Sequence, residues 1–269
     1  MCRFKFSYVP GYFVDSVEAA KACPSSKLIT QPNLGLLRRT YDFEESAPGE
    51  LPWARFRNHV DALNRNSSPG ESYKLLYLVR HGLSVHNIVM AKVGSDSWNN
   101  HWSHLEGDGE VTWVDARLTK DGISLAQNVG NLWTTKLVYS PVMTEHERSL
   151  QPLVKELLRE RLTGHTCDKR STRLWIAENY PGYVIGEDFE EADPLWMADQ
   201  FETNDEHVAR KQRLLEGIFV NDDSPIVSLT THSYAISAIL EAVEAPHFRV
   251  SEGAIVPLFV KATKVEGED

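Results

Sequence analysis

The sequence predicts an α/β fold: a three-layer sandwich on a mainly parallel sheet. Three short apolar runs predict its strands, at 75–79 (Leu-Leu-Tyr-Leu-Val), 137–139 (Leu-Val-Tyr) and 225–230 (Pro-Ile-Val-Ser-Leu-Thr). The first is apolar at every position, the mark of a strand covered on both faces. Helical patterns separate the runs, and alternation of this kind places helices on both sides of a sheet.

The elements follow in chain order. Residues 1–70 read as an irregular extension packed on the core of a single domain spanning 1–269, because Val9-Pro10-Gly11, Cys23-Pro24 and Ala47-Pro48-Gly49 are turn signals. Inside it, Trp53, Phe56, Val60 and Leu63 recur at helical spacing and predict a helix over 52–64. A polar loop at 66–70 leads into the strand at 75–79. A second helix runs from Thr119 to about Trp133, and a third covers 204–219 with Asn204 as its N-cap. An alanine-rich helix at 234–242 and a last strand at 254–260 complete the set.

Composition narrows the function classes. A formal net charge of −10 disfavours nucleic acid, which requires a basic face. Cys2, Cys23 and Cys167 are odd in number and contain no CxxC pair, so neither a disulfide framework nor a zinc site is expected. Charges at Arg3 and Lys5 interrupt any leader-like apolar core, and no stretch approaches the roughly 18 apolar residues of a membrane span. The expectation is a cytoplasmic protein with no membrane or nucleic-acid partner.

In parallel sheets, ligands gather at the C-terminal ends of strands. The residues just beyond the apolar runs are Arg80-His81-Gly82, Ser140-Pro141 and Thr231-His232-Ser233. Arg80 offers a planar fork of donors for phosphate oxygens. His81 has a near-neutral lone pair and can act as a nucleophile. Gly82 permits a sharp turn and close approach to a ligand, and Asn87 can add a donor. His101 and His104 have metal-ligand spacing without a third ligand near in sequence, so a surface or pocket-rim role is preferred. The acidic run 188–193 reads as a solvated loop. Arg159, Arg161, Lys169, Arg170 and Arg173 read either as a solvated face or as the best candidate for the local basic patch that an anionic substrate requires. Trp98, Trp102 and Trp113 read as packing residues.

The segment from Leu75 through Arg80-His81-Gly82 to Asn87 resembles the signature of the histidine phosphatase superfamily, in its phosphoglycerate-mutase-like branch. Asp115-Ala-Arg-Leu-Thr-Lys-Asp-Gly122, Ser140-Pro141, Leu158-Arg159-Glu160 and Thr231-His232-Ser233 resemble that family's further landmarks, in the family's order. The stretches 5–13 and 165–170 are similar to a fungal phosphomutase-like subgroup. The resemblance implies that His81 is the nucleophile, that Arg80, Ser233 and His232 hold the phosphoryl group, and that Glu160 is the general acid. It implies no metal and no other cofactor.

Three departures modify that pattern. Thr144 stands where the family carries a phosphate-binding arginine, and Arg148 is the first substitute candidate, ahead of the Arg159–Arg173 cluster. The connection 142–152 is short for a crossover that carries a helix. Leu83 and Tyr234 replace residues that would leave the pocket more polar and wider. The expected activity is therefore a phosphatase or pyrophosphatase acting on a small phosphorylated or diphosphorylated metabolite. The alternatives are a fungal specialised-metabolism enzyme acting on a prenyl diphosphate, such as a noncanonical sesquiterpene cyclase, and a degenerate binding scaffold without turnover.

Overall fold

The computed structural model describes residues 3–42, 50–135 and 152–265. The fold is α/β, built on a four-stranded sheet of order β1 (Arg3–Tyr8), β6 (Ile255–Val265), β2 (Glu71–Arg80), β5 (Ile226–Thr231). Two-residue strands β3 (Leu153–Val154) and β4 (Val184–Ile185) pair apart from it. The sheet is mixed, which corrects the expectation of a mainly parallel one. Within it only β2 and β5 pair in parallel, whereas β6 is antiparallel to both β1 and β2. The run expected at 137–139 lies outside the described residues, as do Ser140, Pro141, Thr144 and Arg148.

Strand β2 divides the core. Side chains alternate across a strand, and every residue from Leu75 to Val79 is buried. Leu75, Tyr77 and Val79 face a cluster with Phe56 and Val60 of α2 (Pro52–Asn66), to which Val129 and Leu132 of α5 (Lys120–Thr135) add. Leu76 and Leu78 face the opposite cluster, where Leu214, Leu215 and Ile218 of α7 (Asn204–Asn221) meet Ile236, Ile239 and Leu240 of α8 (Ser233–Ala242). Short helices α1 (Ser16–Ala22), α3 (Val85–Val93), α4 (Ser95–Asn100) and α6 (Arg173–Asn179) complete the described set.

Two expectations about element ends change. The N-terminal stretch is not wholly irregular: β1 forms the edge of the main sheet, with Phe6 buried and paired to Ala262. The N-cap of α7 is Thr203, not Asn204. Its hydroxyl accepts from the Glu206 N–H, while the Glu206 carboxylate accepts from the Thr203 N–H, a reciprocal capping box that Asn204 is one residue too late to form.

Candidate active site

The register of the parallel pair builds the site. Strands β2 and β5 end opposite each other at Arg80 and Thr231, and neighbouring strands lie about 4.8 Å apart. The next residue on each strand is a histidine. The His81 and His232 ring centroids are 4.7 Å apart. His81 Nδ1 lies 2.7 Å from the Gly82 carbonyl, which can only accept, so Nδ1 carries the proton and Nε2 keeps the lone pair. Burial lowers the pKa of both rings, His232 especially, and the Arg80 guanidinium presses the same way on both. Both imidazoles are therefore neutral near pH 7.

Gly82 and Gly122 pack closely against each other's backbone. A Cβ on Gly82 would strike the Gly122 carbonyl, and one on Gly122 would strike the Leu83 carbonyl. Gly82 therefore lets the turn after His81 dock against the start of α5. Thr119 reinforces the joint: its N–H and hydroxyl both donate to the Leu83 carbonyl.

Arg80 is buried and anchored. Nη1 donates to the Val250 carbonyl at 2.7 Å and Nη2 pairs with Glu252 at 2.8 Å, while Nε is buried with no partner among the described residues. Asn87 is mainly a capping residue: its carbonyl oxygen accepts from the Ser84 hydroxyl at 2.8 Å, and its amide stands 2.9 Å from His86 Nε2. Ser233 opens α8 immediately after His232, which is the helix N-cap.

Glu160 enters from a different loop. Its carboxylate accepts the Tyr234 N–H of α8 at 3.1 Å and the Arg161 N–H at 3.0 Å, which ties it to the helix that begins at His232. Burial raises its pKa to about 6, although both N–H bonds pull the other way.

The arginine cluster is mostly structural. Arg159 makes a two-toothed pair with Asp193 at 2.7 Å and a contact with Glu156, and Arg170 pairs with Glu156 at 2.9 Å. The run 188–193 is thus not simply a solvated loop. Phe189 is buried under the Arg170 guanidinium, and Asp193, despite burial, is brought down to about 2 by Arg159 and backbone N–H groups. Arg161 differs. Like Arg173, it forms no ion pair among the described residues and has a buried Nε without a partner. Its guanidinium lies 5.1 Å from the Tyr234 ring centre, and that of Arg249 lies 5.9 Å from the same ring. Tyr234 is half exposed, with both guanidinium groups over its ring.

Residues without a sequence-based role also gather here. His86 lies 6.1 Å from His81, ring to ring, and burial lowers its pKa to about 4. Glu252 anchors Arg80. Arg210 and Lys211 lie beneath the Glu160 loop. Their signal was the spacing 207, 210, 211, 214, 215, 218, a helical core stripe occupied by three basic residues. Trp98 and Trp113 are buried and 5.7 Å apart, and His104 Nε2 donates to the Asn99 carbonyl. Among the described residues no three His, Cys, Asp or Glu side chains are grouped to hold a metal, and no helix is long and apolar enough to cross a membrane.

No family model matches the chain. It is 35% identical over 283 aligned positions to a "Probable phosphoglycerate mutase" of Arthroderma benhamiae, covering 95% of this chain and 84% of that one. It is 27% identical to "Probable phosphoglycerate mutase PMU1" of Saccharomyces cerevisiae, over 94% and 95% of the two chains. Among solved structures, a mycobacterial glucosyl-3-phosphoglycerate phosphatase shows a distant likeness: TM-score 0.36 and 17% identity, over 65% of this chain and 81% of the other.

Proposed function

The chain belongs to the phosphoglycerate-mutase-like branch of the histidine phosphatase superfamily, and on that premise we propose that it hydrolyses a small phosphorylated metabolite through a phosphohistidine on His81. The observation that carries the reading is the His81–His232 pair at 4.7 Å with the His81 Nδ1 proton tied to the Gly82 carbonyl. A neutral imidazole with Nε2 free is the form that attacks phosphorus.

In the first step, His81 Nε2 bonds to phosphorus, the bond from phosphorus to the ester oxygen breaks, and Glu160 gives its proton to that oxygen. The Nδ1–H bond to Gly82 steadies the positive ring that forms. In the second step, water attacks phosphorus and passes a proton to the Glu160 carboxylate. The phosphorus–nitrogen bond breaks, and phosphate leaves with His81 neutral again. His232, neutral in the empty site, gains a proton more readily beside a phosphoryl anion and then donates to an equatorial oxygen. Arg80 Nε supplies another donor.

A site with one arginine fixed by Glu252 needs a further cation for a substrate of higher charge. Arg161 fills that role best, because it adjoins Glu160 and has an unpartnered buried Nε. The substrate then bears a second anionic group beyond the transferred phosphoryl. Hydrolysis is preferred over mutase action, which demands that the dephosphorylated product stay bound and reorient.

Acid-labile, base-stable phosphoprotein, trapped by rapid quench during turnover of a phosphomonoester, is the test. Wild type is expected to accumulate it, and a folded His81→Ala variant is expected to show neither phosphoprotein nor turnover. Substantial turnover by His81→Ala would sink the covalent mechanism.

A further inference from the structure

We propose that Arg210 and Lys211 are positioning residues for Glu160: from the buried stripe of α7 they grip the carbonyls of the loop that carries it, and so fix the acid against the His81–His232 pair. The inference rests on Glu160 being the acid.

The geometry is specific to one loop. Lys211 Nζ donates to the carbonyls of Leu157 at 2.7 Å and Arg159 at 2.5 Å. Arg210 donates from Nη1 to the same two carbonyls, at 3.2 and 3.1 Å, and from Nη2 to the Glu160 carbonyl at 2.7 Å. The Thr231 hydroxyl, at the end of β5, donates to the remaining carbonyl, that of Leu158, at 2.6 Å. Four consecutive carbonyls up to and including that of Glu160 are thus held by side chains, not by secondary structure.

The far side of Glu160 is tied to the same arginine. Glu202 takes Arg210 Nε and Nη2 at 2.7 Å each. It also accepts the Leu162 N–H at 3.1 Å and returns its own N–H to the Leu162 carbonyl at 2.7 Å. The loop is clamped before and after the acid.

Stability alone does not call for this arrangement. Lys211 is fully buried and Arg210 is 3% exposed, on a face where α7 otherwise presents Leu214, Leu215 and Ile218. Burying cations there is costly unless each hydrogen finds an acceptor. Burial, with Arg210 beside it, lowers the Lys211 pKa to about 6. The neutral amine that results has two hydrogens for two carbonyls. Because α7 packs on α8, which starts at His232, the clamp refers the acid to the helix that presents the second histidine.

Leaving-group dependence separates a positioning role from simple support. An alkyl phosphate requires a proton on its departing oxygen, whereas para-nitrophenyl phosphate leaves as a stable phenolate and requires it far less. Lys211→Met and Arg210→Met are compared with wild type and Glu160→Gln on both substrates, with urea midpoints measured for each. We expect Lys211→Met to lose about 100-fold in kcat/KM on the alkyl ester and less than about tenfold on the aryl ester, with phosphoenzyme still formed. Thr231→Val, which keeps the side-chain shape and removes only the grip on Leu158, is expected to show the same selectivity at several-fold and is read if Lys211→Met is insoluble. Equal losses on the two esters in the clamp variants, with Glu160→Gln remaining selective, would overturn the clamp while sparing the acid. Loss of selectivity in Glu160→Gln itself would overturn the reading of Glu160, and the clamp with it.

Discussion

Two protons decide the chemistry at the scale of single residues. One, on His81 Nδ1, is held by Gly82 and leaves Nε2 as the attacking atom. The other, on Glu160, is present at mildly acidic pH because burial raises that carboxyl to about 6. The first step requires Glu160 protonated and His81 neutral. For an alkyl phosphate, kcat/KM is therefore expected to fall as pH rises above about 6 and to fall again at acidic pH, below the ordinary histidine value, where His81 protonates. Glu160→Gln is expected to flatten the alkaline limb, and a limb that persists unchanged would assign that ionisation elsewhere. Arg161 gives a second expectation. Its cation is not neutralised by a carboxylate among the described residues, so Arg161→Met should raise KM about tenfold for a substrate with two anionic groups and leave one with a single phosphate nearly unchanged. Steady-state kinetics on the matched pair of substrates measures this.

At the scale of elements, the joint between the His81 turn and α5 is a backbone-to-backbone contact in which neither glycine has room for a methyl group. Gly122→Ala is expected to lower stability by about 2 kcal/mol or more and to reduce turnover beyond that, because the displaced Leu83 carbonyl belongs to the turn that aims His81. Urea melts and kcat on the same preparations check both parts. The positions of His81 and His232 were legible in the sequence because each ends an apolar run, and parallel neighbours of matched register bring their ends together. Other features were not legible, for definite reasons. The direction of β6 is set by what it pairs with, and its own pattern does not encode that. In β1, Lys5 looks like an interruption of an apolar stretch, yet it is the alternate face of a strand whose Phe4 and Phe6 point toward the core. The acidic run at 188–193 looks solvated until Arg159 and Arg170, distant in sequence, fold onto it.

Over the whole molecule, the distribution of buried histidines sets how stability responds to pH. Burial lowers the pKa of His81, His86, His165, His207 and His232, to about 4 for His86 and about 3 for His207. The unfolded chain protonates these groups near pH 6.5, before the folded chain does. Their contribution to stability is present above that pH and is lost as pH falls toward the folded values. Glu160 and Asp168, whose values are raised, act in the opposite sense: their contribution is present at low pH and is lost as pH rises. The histidines outnumber them. A change from pH 7.5 to pH 5 is expected to lower the unfolding free energy by on the order of 2 kcal/mol per fully buried histidine, His207 being the clearest case. A urea midpoint that stays level or rises over that interval would contradict the account.

The pairing of β1 with β6 governs the order in which the protein can be made. Synthesis delivers β1 first and β6 last of the described strands, and β1 pairs with no other of them. Until Ile255–Val265 has cleared the ribosome, Phe4 and Phe6 have no sheet to join, and β2 lacks the neighbour that runs beside it from Glu71 to Val79. A nascent chain in that state exposes an unpaired apolar edge, the kind of surface that chaperones hold and that aggregates otherwise. Chains stalled before residue 255 are expected to remain protease-sensitive throughout, with resistance gained in one step as the final strand emerges.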